Sequence, residues 1–182
     1  MQAVLETQIA LAPDRGFALT IAQGIPKAQK MDFVVEKLTE LGVDVVVPLV
    51  SERAIADATP AKLDRWQRLA RAAAQQSGRA AIPRIEAPAS LEQMIARFGE
   101  YDAVLIAWEL AHPASARQSL EEALRGARSV LVLIGPEGGF SAEEAHRAQA
   151  AGASVVWLGP RIYRTETAGL VAAAFVNFVL EG

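Results

Sequence analysis

Two short loops hold the residue types in this chain best suited to chemistry. "GPEGG" (135–139) lies between an apolar run and "FSAEE", and "LGPRIYRTETAG" (158–169) crowds Arg161, Arg164, Thr165, Glu166 and Thr167 ahead of an almost wholly apolar stretch. In the first loop, Gly135, Gly138 and Gly139 permit positive φ and let backbone amides approach a ligand closely, while Pro136 stiffens the turn. The spacing matches neither G-x-G-x-x-G nor G-x-x-x-x-G-K-[ST], and no lysine follows it, so the usual dinucleotide and nucleoside-triphosphate fingerprints are missing. Glu137 sets a negative charge where a phosphate would sit, so a neutral or cationic ligand suits the turn better. Each feature also has a purely structural explanation: a tight connection for GPEGG, helix caps for Thr165 or Thr167, an ion pair for Arg164 and Glu166. Two glycine–proline loops at neighbouring strand ends favour a shared binding site.

The elements that must position these loops alternate between two periods. "FALTIAQ" (17–23) reads as a strand, and Met31, Phe33, Val34, Val35, Leu38 and Leu41 supply a helical stripe that Gly42 terminates. "VDVVVPLV" (43–50) is the next strand, with Pro48 predicting an edge or a strand end. Thr59 as N-cap and Pro60 at the first helical position predict a helix to about Gln76. Ser90 with Gln93, and Ser141 with Glu144, have capping-box spacing; Gly99 and Gly152 stand where those helices would end. "AVLIAWE" (103–109) and "SVLVLIG" (129–135) are continuous apolar runs, in the style of strands covered on both faces. A short helix is expected around 119–124, a strand at 154–159 and a last helix over 165–181. Such alternation predicts an α/β domain with a largely parallel sheet, whose ligands bind at the carboxyl ends of strands. Both loops would then open onto the same edge.

Composition limits what the site can be. The 182 residues are 52% hydrophobic and 21% charged, which fits one globular domain with a sizeable core. Without cysteine, thiolate metal sites, disulfides and cysteine nucleophiles are excluded, and a reducing cytoplasm is the expected compartment. The amino terminus lacks the pattern of a signal peptide. The longest apolar stretch, Ala168 to Leu180 with Asn177 inside it, falls short of the roughly 20 residues that span a bilayer, so no membrane partner is expected. His112 and His146 have no metal-ligand spacing, and no metal is expected. A net charge of −3 argues against a general nucleic-acid binder. Locally, though, Lys62, Arg65, Arg68, Arg71 and Arg79 face only Asp64 between residues 62 and 79. Arg65, Arg68 and Arg71 form a spiralling basic stripe that is either a solvated helix face or a phosphate-binding surface, with Lys27, Lys30 and Arg53 as further candidates.

"LIGPEGGFSAEE" and "LGPRIYRTETAG", preceded by "KAQKMDFVVEKLTELGVDVVVPLVSERA" (27–54) and "QQSGR" (75–79), resemble the ribosomal RNA small-subunit methyltransferase E family of the knotted SPOUT class. The resemblance runs from about Leu19 to the carboxyl terminus. It implies an α/β knot, a homodimer, and an S-adenosylmethionine-dependent enzyme that methylates N3 of a uridine in 16S ribosomal RNA of the small ribosomal subunit. By resemblance the cofactor is contacted by Ile134, Gly135, Pro136, Glu137 and Gly138 from the first loop. The second contributes Leu158, Gly159, Ile162, Arg164, Thr165 and Thr167, with Trp108 and Glu109 as another wall. A sulfonium donor is compatible in sign with Glu137.

Uracil N3 must also lose a proton. Arginine stays protonated and cannot take it, but Arg79 or Arg164 can stabilise the developing uracil anion, and Glu166 is a candidate base. Arg161 joins Lys27, Lys30, Arg53, Arg65, Arg68, Arg71 and Arg79 as candidate RNA contacts. The chain departs from the family pattern at Tyr163, Gly169 and Ala80, where a leucine-like residue, alanine and asparagine are usual. Residues 1–16 resemble only the last part of the family's PUA-like β-barrel, ahead of a methyltransferase domain over 17–182. A noncatalytic RNA-binding or ribosome-assembly protein that keeps the knot, or a SPOUT methyltransferase with another ribosomal or transfer RNA target, are the competing readings.

Overall fold

A computed structural model of the chain describes residues 15–52, 58–108 and 120–182. The expectations for the PUA-like remnant at 1–14, and for Arg53, Glu109 and His112, lie outside the described residues. Seven strands, β1 (Ala18–Gly24), β2 (Val45–Val50), β3 (Arg84–Ile85), β4 (Ala89–Ser90), β5 (Ala103–Ala107), β6 (Ser129–Ile134) and β7 (Ser154–Val156), form one sheet. Its order is β3-β2-β1-β6-β5-β7, with β4 also on β2, and every pairing is parallel. The predicted α/β architecture is therefore present.

Strand alternation divides the core between the two faces of the sheet. Leu19 and Ile21 of β1, Val130 and Val132 of β6, and Leu105 of β5 pack with helices α1 (Lys30–Glu40), α2 (Pro60–Gln76) and α5 (Thr165–Glu181). Ala22, Leu131, Leu133, Val104 and Ile106 face α3 (Leu91–Ile95) and α4 (Ala142–Ala150). Both layers are needed because the central strands carry apolar residues on each side. Helix α5 leaves β7 at one edge and packs on α1, β1 and β6, so the last segment returns across the sheet to its middle.

Local signals set the helix ends. Thr59 accepts the amide of Lys62, and both capping boxes, Ser90 with Gln93 and Ser141 with Glu144, are complete. Residues 120–124 are helical, as expected for that region. Two boundaries differ from expectation. Helix α3 ends at Ile95, and Gly99 sits inside a short 3-10 turn, Phe98–Glu100. Pro48 lies in an interior strand: the carbonyls of Asp44 and Val46 point toward β3, so by alternation the missing proline amide faces the same side. There the neighbour is interrupted between β3 and β4, and no ladder bond is lost.

The amino-terminal end of the sheet is held by arginines. The turn from α1 into β2 leaves carbonyls without helical partners, and Arg79 donates to three of them, Thr39 at 2.9 Å, Val43 at 3.0 Å and Gly42 at 3.1 Å. Arg15 reaches the carbonyls of Leu41 and Gly42, the Asn177 side chain and Asp44. Arg79, read from the sequence as a catalytic or RNA-contacting residue, is thus engaged in holding this corner, opposite the strand ends where the two loops meet. Replacing it with methionine should lower the unfolding free energy by roughly 2–3 kcal/mol, because its charged hydrogen bonds are lost and buried carbonyls are left unpaired. Urea denaturation measures this, and a variant as stable as the parent would return Arg79 to a surface role.

Candidate ligand cavity at the strand ends

The loops after β6 and β7 meet over the carboxyl end of β5 and enclose a cavity of about 420 Å³. From the first loop come Ile134, Gly135, Pro136, Glu137 and Gly139; from the second come Trp157 to Arg164 and the start of α5; Ala107 and Trp108 close a third side. The predicted residues Trp108, Ile134, Gly135, Pro136, Glu137, Leu158, Gly159, Ile162, Arg164 and Thr165 all line this one space, as do Lys30, Arg161 and Glu166.

Close backbone packing shapes the first loop. A Cβ at Gly24, the last residue of β1, would lie 2.4 Å from the nitrogen of Pro136 and 2.5 Å from the carbonyl carbon of Gly135. One at Gly135 would meet the backbone of Gly139 and Phe140 at 3.0 Å. Gly139 has φ +62° and donates its amide to the Pro136 carbonyl at 2.9 Å, closing the turn. Gly138 does not have positive φ and does not line the cavity; among the three glycines of this loop, the conformational demand falls on Gly139 and the packing demand on Gly135. In the second loop Gly159 has φ +123°, a region that side chains rarely adopt.

Side chains tie the loops together. Glu137 accepts the backbone amide of Lys27 at 2.6 Å, so its carboxylate staples the β1–α1 connection to the first loop while remaining exposed. Thr165 was a candidate helix cap, but α5 starts after Arg164 with no side-chain cap. The Thr165 hydroxyl instead donates to the Gly135 carbonyl at 2.5 Å, and beneath it Gln23 donates to Thr165.

Glu166 pairs with Lys30 at 2.8 Å, not with Arg164 as the sequence suggested. Burial pushes its carboxyl upward, but the Lys30 ammonium and its own amide at the helix start outweigh this and hold the pKa below the ordinary value. The carboxylate therefore stays ionised near neutrality.

The other expected contacts separate. Thr167 is outside the cavity lining, and its amide bonds to the Arg164 carbonyl. Arg65 pairs with Asp32, which also accepts the Trp66 indole, while Arg68 and Arg71 are exposed on α2 and Lys27 is exposed beside the first loop. His146 is exposed and meets the Trp108 ring edge-on at 5.7 Å. No group of His, Asp or Glu among the described residues could hold a metal ion. No helix among them is long and apolar enough to cross a membrane. Trp157 was missed as a lining residue because the apolar run "SVVWLG" reads as unbroken strand, whereas β7 stops at Val156; Pro160 and Tyr163 also line the cavity, from within the loop the sequence had already singled out.

A model of the RNA methyltransferase domain matches residues 13–177. The chain is 33% identical over 88% of its length to ribosomal RNA small subunit methyltransferase E of Bacillus subtilis, and covers 66% of that protein. A Synechocystis protein of the same name is 34% identical over 90% of this chain, which spans 54% of it. The fold superposes with a TM-score of 0.78 on a ribosomal RNA small subunit methyltransferase E from Neisseria gonorrhoeae bound to S-adenosyl methionine. That pair is 32% identical, covering 90% of this chain and 66% of the other.

Two outcomes are expected from this geometry. Gly24→Ala should cost roughly 2–3 kcal/mol or more in denaturant unfolding, because its clash is with backbone that cannot swing aside; an unperturbed midpoint would refute the close approach. The lowered pKa of Glu166 means that its pairing adds stability above the ordinary value of 4.5, lost as pH falls through the lower folded-state value. Lys30→Met should therefore flatten the acid side of the stability profile, and parallel profiles for the two proteins would count against the pair.

Proposed function

This chain belongs to the RNA methyltransferase domain family, and from that premise we propose that it transfers a methyl group from S-adenosylmethionine to N3 of a uridine in 16S ribosomal RNA of the small ribosomal subunit. The observation that carries the reading is the cavity itself. Two glycine–proline loops, distant in sequence and both within the span the family matches, close over one space of about 420 Å³, a size usual for cofactor sites.

The residues present fit such a donor. Trp108, Ile134, Trp157 and Leu158 offer apolar walls, and the backbone of Gly135, Gly139 and Gly159 lies open to close approach. When bound, S-adenosylmethionine supplies an electrophilic methyl group on a sulfonium cation. The chain's own task is to align the acceptor nitrogen and manage its proton. Arg161 and Arg164 are exposed where they line the cavity, positioned to meet the RNA and to stabilise negative charge on the uracil oxygens. Glu166 lines the cavity and is kept ionised by Lys30; its Oε2 is buried and has no hydrogen-bond partner, so taking the N3 proton requires the carboxylate to turn toward the cavity. Its lowered pKa makes it a weak base, so most of the driving force must come from stabilising the uracil anion.

Lys27, Arg68 and Arg71 are the exposed cations best placed by type to grip phosphates, and affinity carried by them should fall steeply with salt. A homodimer completes the reading. Phe33 on α1, and Phe175 and Phe178 on the helix packed against it, expose large apolar surface, with Phe178 80% accessible, of the kind subunit contacts cover. The return of α5 from the edge strand to the middle of the sheet is compatible with the threaded carboxyl-terminal segment of the SPOUT class.

Calorimetric titration with S-adenosylmethionine, with NAD as control, should show saturable binding of the former only, and small ribosomal subunits treated with the protein should gain N3-methyluridine. Gly159→Val should weaken donor binding about tenfold or more, since φ +123° strains a β-branched residue. Binding without transfer would keep the cavity reading and move the target; no binding by folded protein would remove the methyltransferase reading in favour of an RNA-binding role.

A further inference from the structure

Gln23 is the least expected side chain near the cavity. It is wholly buried in β1, on the face covered by α5, among apolar neighbours. Its Nε2 donates to the carbonyl of Gly24 at 3.1 Å, the carbonyl of Thr165 at 3.3 Å and the Thr165 hydroxyl at 3.0 Å. The orientation of this amide follows from the partners. Two are carbonyls, which only accept, and the hydroxyl has a single hydrogen already donated to Gly135, so it too must accept from Gln23. The amide oxygen consequently faces away and has no hydrogen-bond partner. It lies against Gly169, where a Cβ would sit only 2.3 Å from it.

Leaving a buried amide oxygen unpaired is costly, and an apolar side chain of the same length would avoid that cost. What it would lose is the polar chain from Gln23 through Thr165 to Gly135, which joins the end of β6 to the start of α5. We propose that Gln23 is a positioning residue for the methyl-donor cavity: its amide orients the Thr165 hydroxyl so that the two loops stay at one spacing, and Gly169 is the position that makes room for it. This rests on the methyltransferase reading. Gln23 touches no reacting atom; it acts through Thr165 and the Gly135 carbonyl.

A purely structural role and a positioning role predict opposite pairings of stability and binding. Gln23→Met keeps length and apolar contact while removing both the donor and the unpaired oxygen. Its melting temperature should stay close to the parent's, because removing the unpaired oxygen offsets the carbonyls left without their donor, while S-adenosylmethionine binding weakens about tenfold, as loss of one buried hydrogen-bond network would give. Gly169→Ala should push on the same amide and weaken binding likewise. Gly169→Ala added to Gln23→Met should weaken it little further, because both changes disturb one network. Hydrogen exchange at residues 135–139 and 157–164 should quicken in Gln23→Met whether or not the donor binds.

If the parent binds the donor and Gln23→Met binds it equally well, positioning by Gln23 is overturned and the methyltransferase reading stands. If the parent fails to bind, that reading falls, and exchange decides the rest: faster exchange in both loops with an unchanged melting temperature supports the clamp, and unchanged exchange refutes it.

Discussion

The hydroxyl of Thr165 donates to the carbonyl of Gly135 at 2.5 Å, joining the end of β6 to the first turn of α5. Between those residues the chain runs through α4 and β7 to the edge of the sheet and back. Parallel strands fix the direction in which loops emerge but not how two of them meet, so the cavity depends on a contact outside the ladder. Gly24 makes that contact possible from below, since β1 can approach the Gly135–Pro136 peptide only without a side chain. Glu137 completes the arrangement by holding the amide of Lys27. Three connections, after β1, β6 and β7, are thereby fastened at one point.

The two ends of the sheet use charge for different purposes. At the amino-terminal edge, Arg15 and Arg79 are mostly buried and direct their guanidinium groups at carbonyls left over by the α1–β2 turn. At the carboxyl-terminal edge, Arg161 and Arg164 are exposed on the cavity lining. A guanidinium satisfied by several carbonyls is fixed in place and has little left to offer a mobile ligand, whereas an exposed one keeps its donors for an anion. This difference in burial, invisible in a count of basic residues, separates arginines engaged in holding the fold from those left open at the cavity. Burial does not divide the α2 stripe: Arg65, Arg68 and Arg71 are all exposed, and what sets Arg65 apart is its ion pair with Asp32.

Signals that act within one helical turn were legible in the sequence. Thr59 with Pro60, Ser90 with Gln93 and Ser141 with Glu144 place helix starts because donor and acceptor lie three residues apart. That the GPEGG and RTET loops share one cavity was legible because strand-end geometry follows from parallel alternation. Pairings between distant elements were not. Nothing near Gln23 or Gly24 indicates that β1 ends against a turn over a hundred residues later, and Lys30 resembles any cation at a helix start until α5 brings Glu166 to it. The structural engagement of Arg79 was hidden for the same reason: its partners lie on α1 and the turn after it. Gly138 shows a further limit, since adjacent glycines share a composition signal and only the backbone reveals which has positive φ.

Buried polar atoms without partners occur at Gln23, Ser51, Arg147 and Glu166 among the described residues. Two of these four side chains flank Thr165, one beneath it and one beside it. A core selected for stability alone would replace such groups with apolar ones, because an unpaired buried acceptor costs about 1–3 kcal/mol. Their concentration at the start of α5 is what a site that must keep acceptors and rigid loops in a fixed arrangement would require. The cost is tolerable because both faces of the sheet supply large apolar cores, and because Lys30 pairs with the other oxygen of Glu166 while Thr165 accepts from the amide nitrogen of Gln23. Stability therefore resides in the sheet and its two helical layers, and the loops at one edge can carry polar groups that a purely apolar core would not hold.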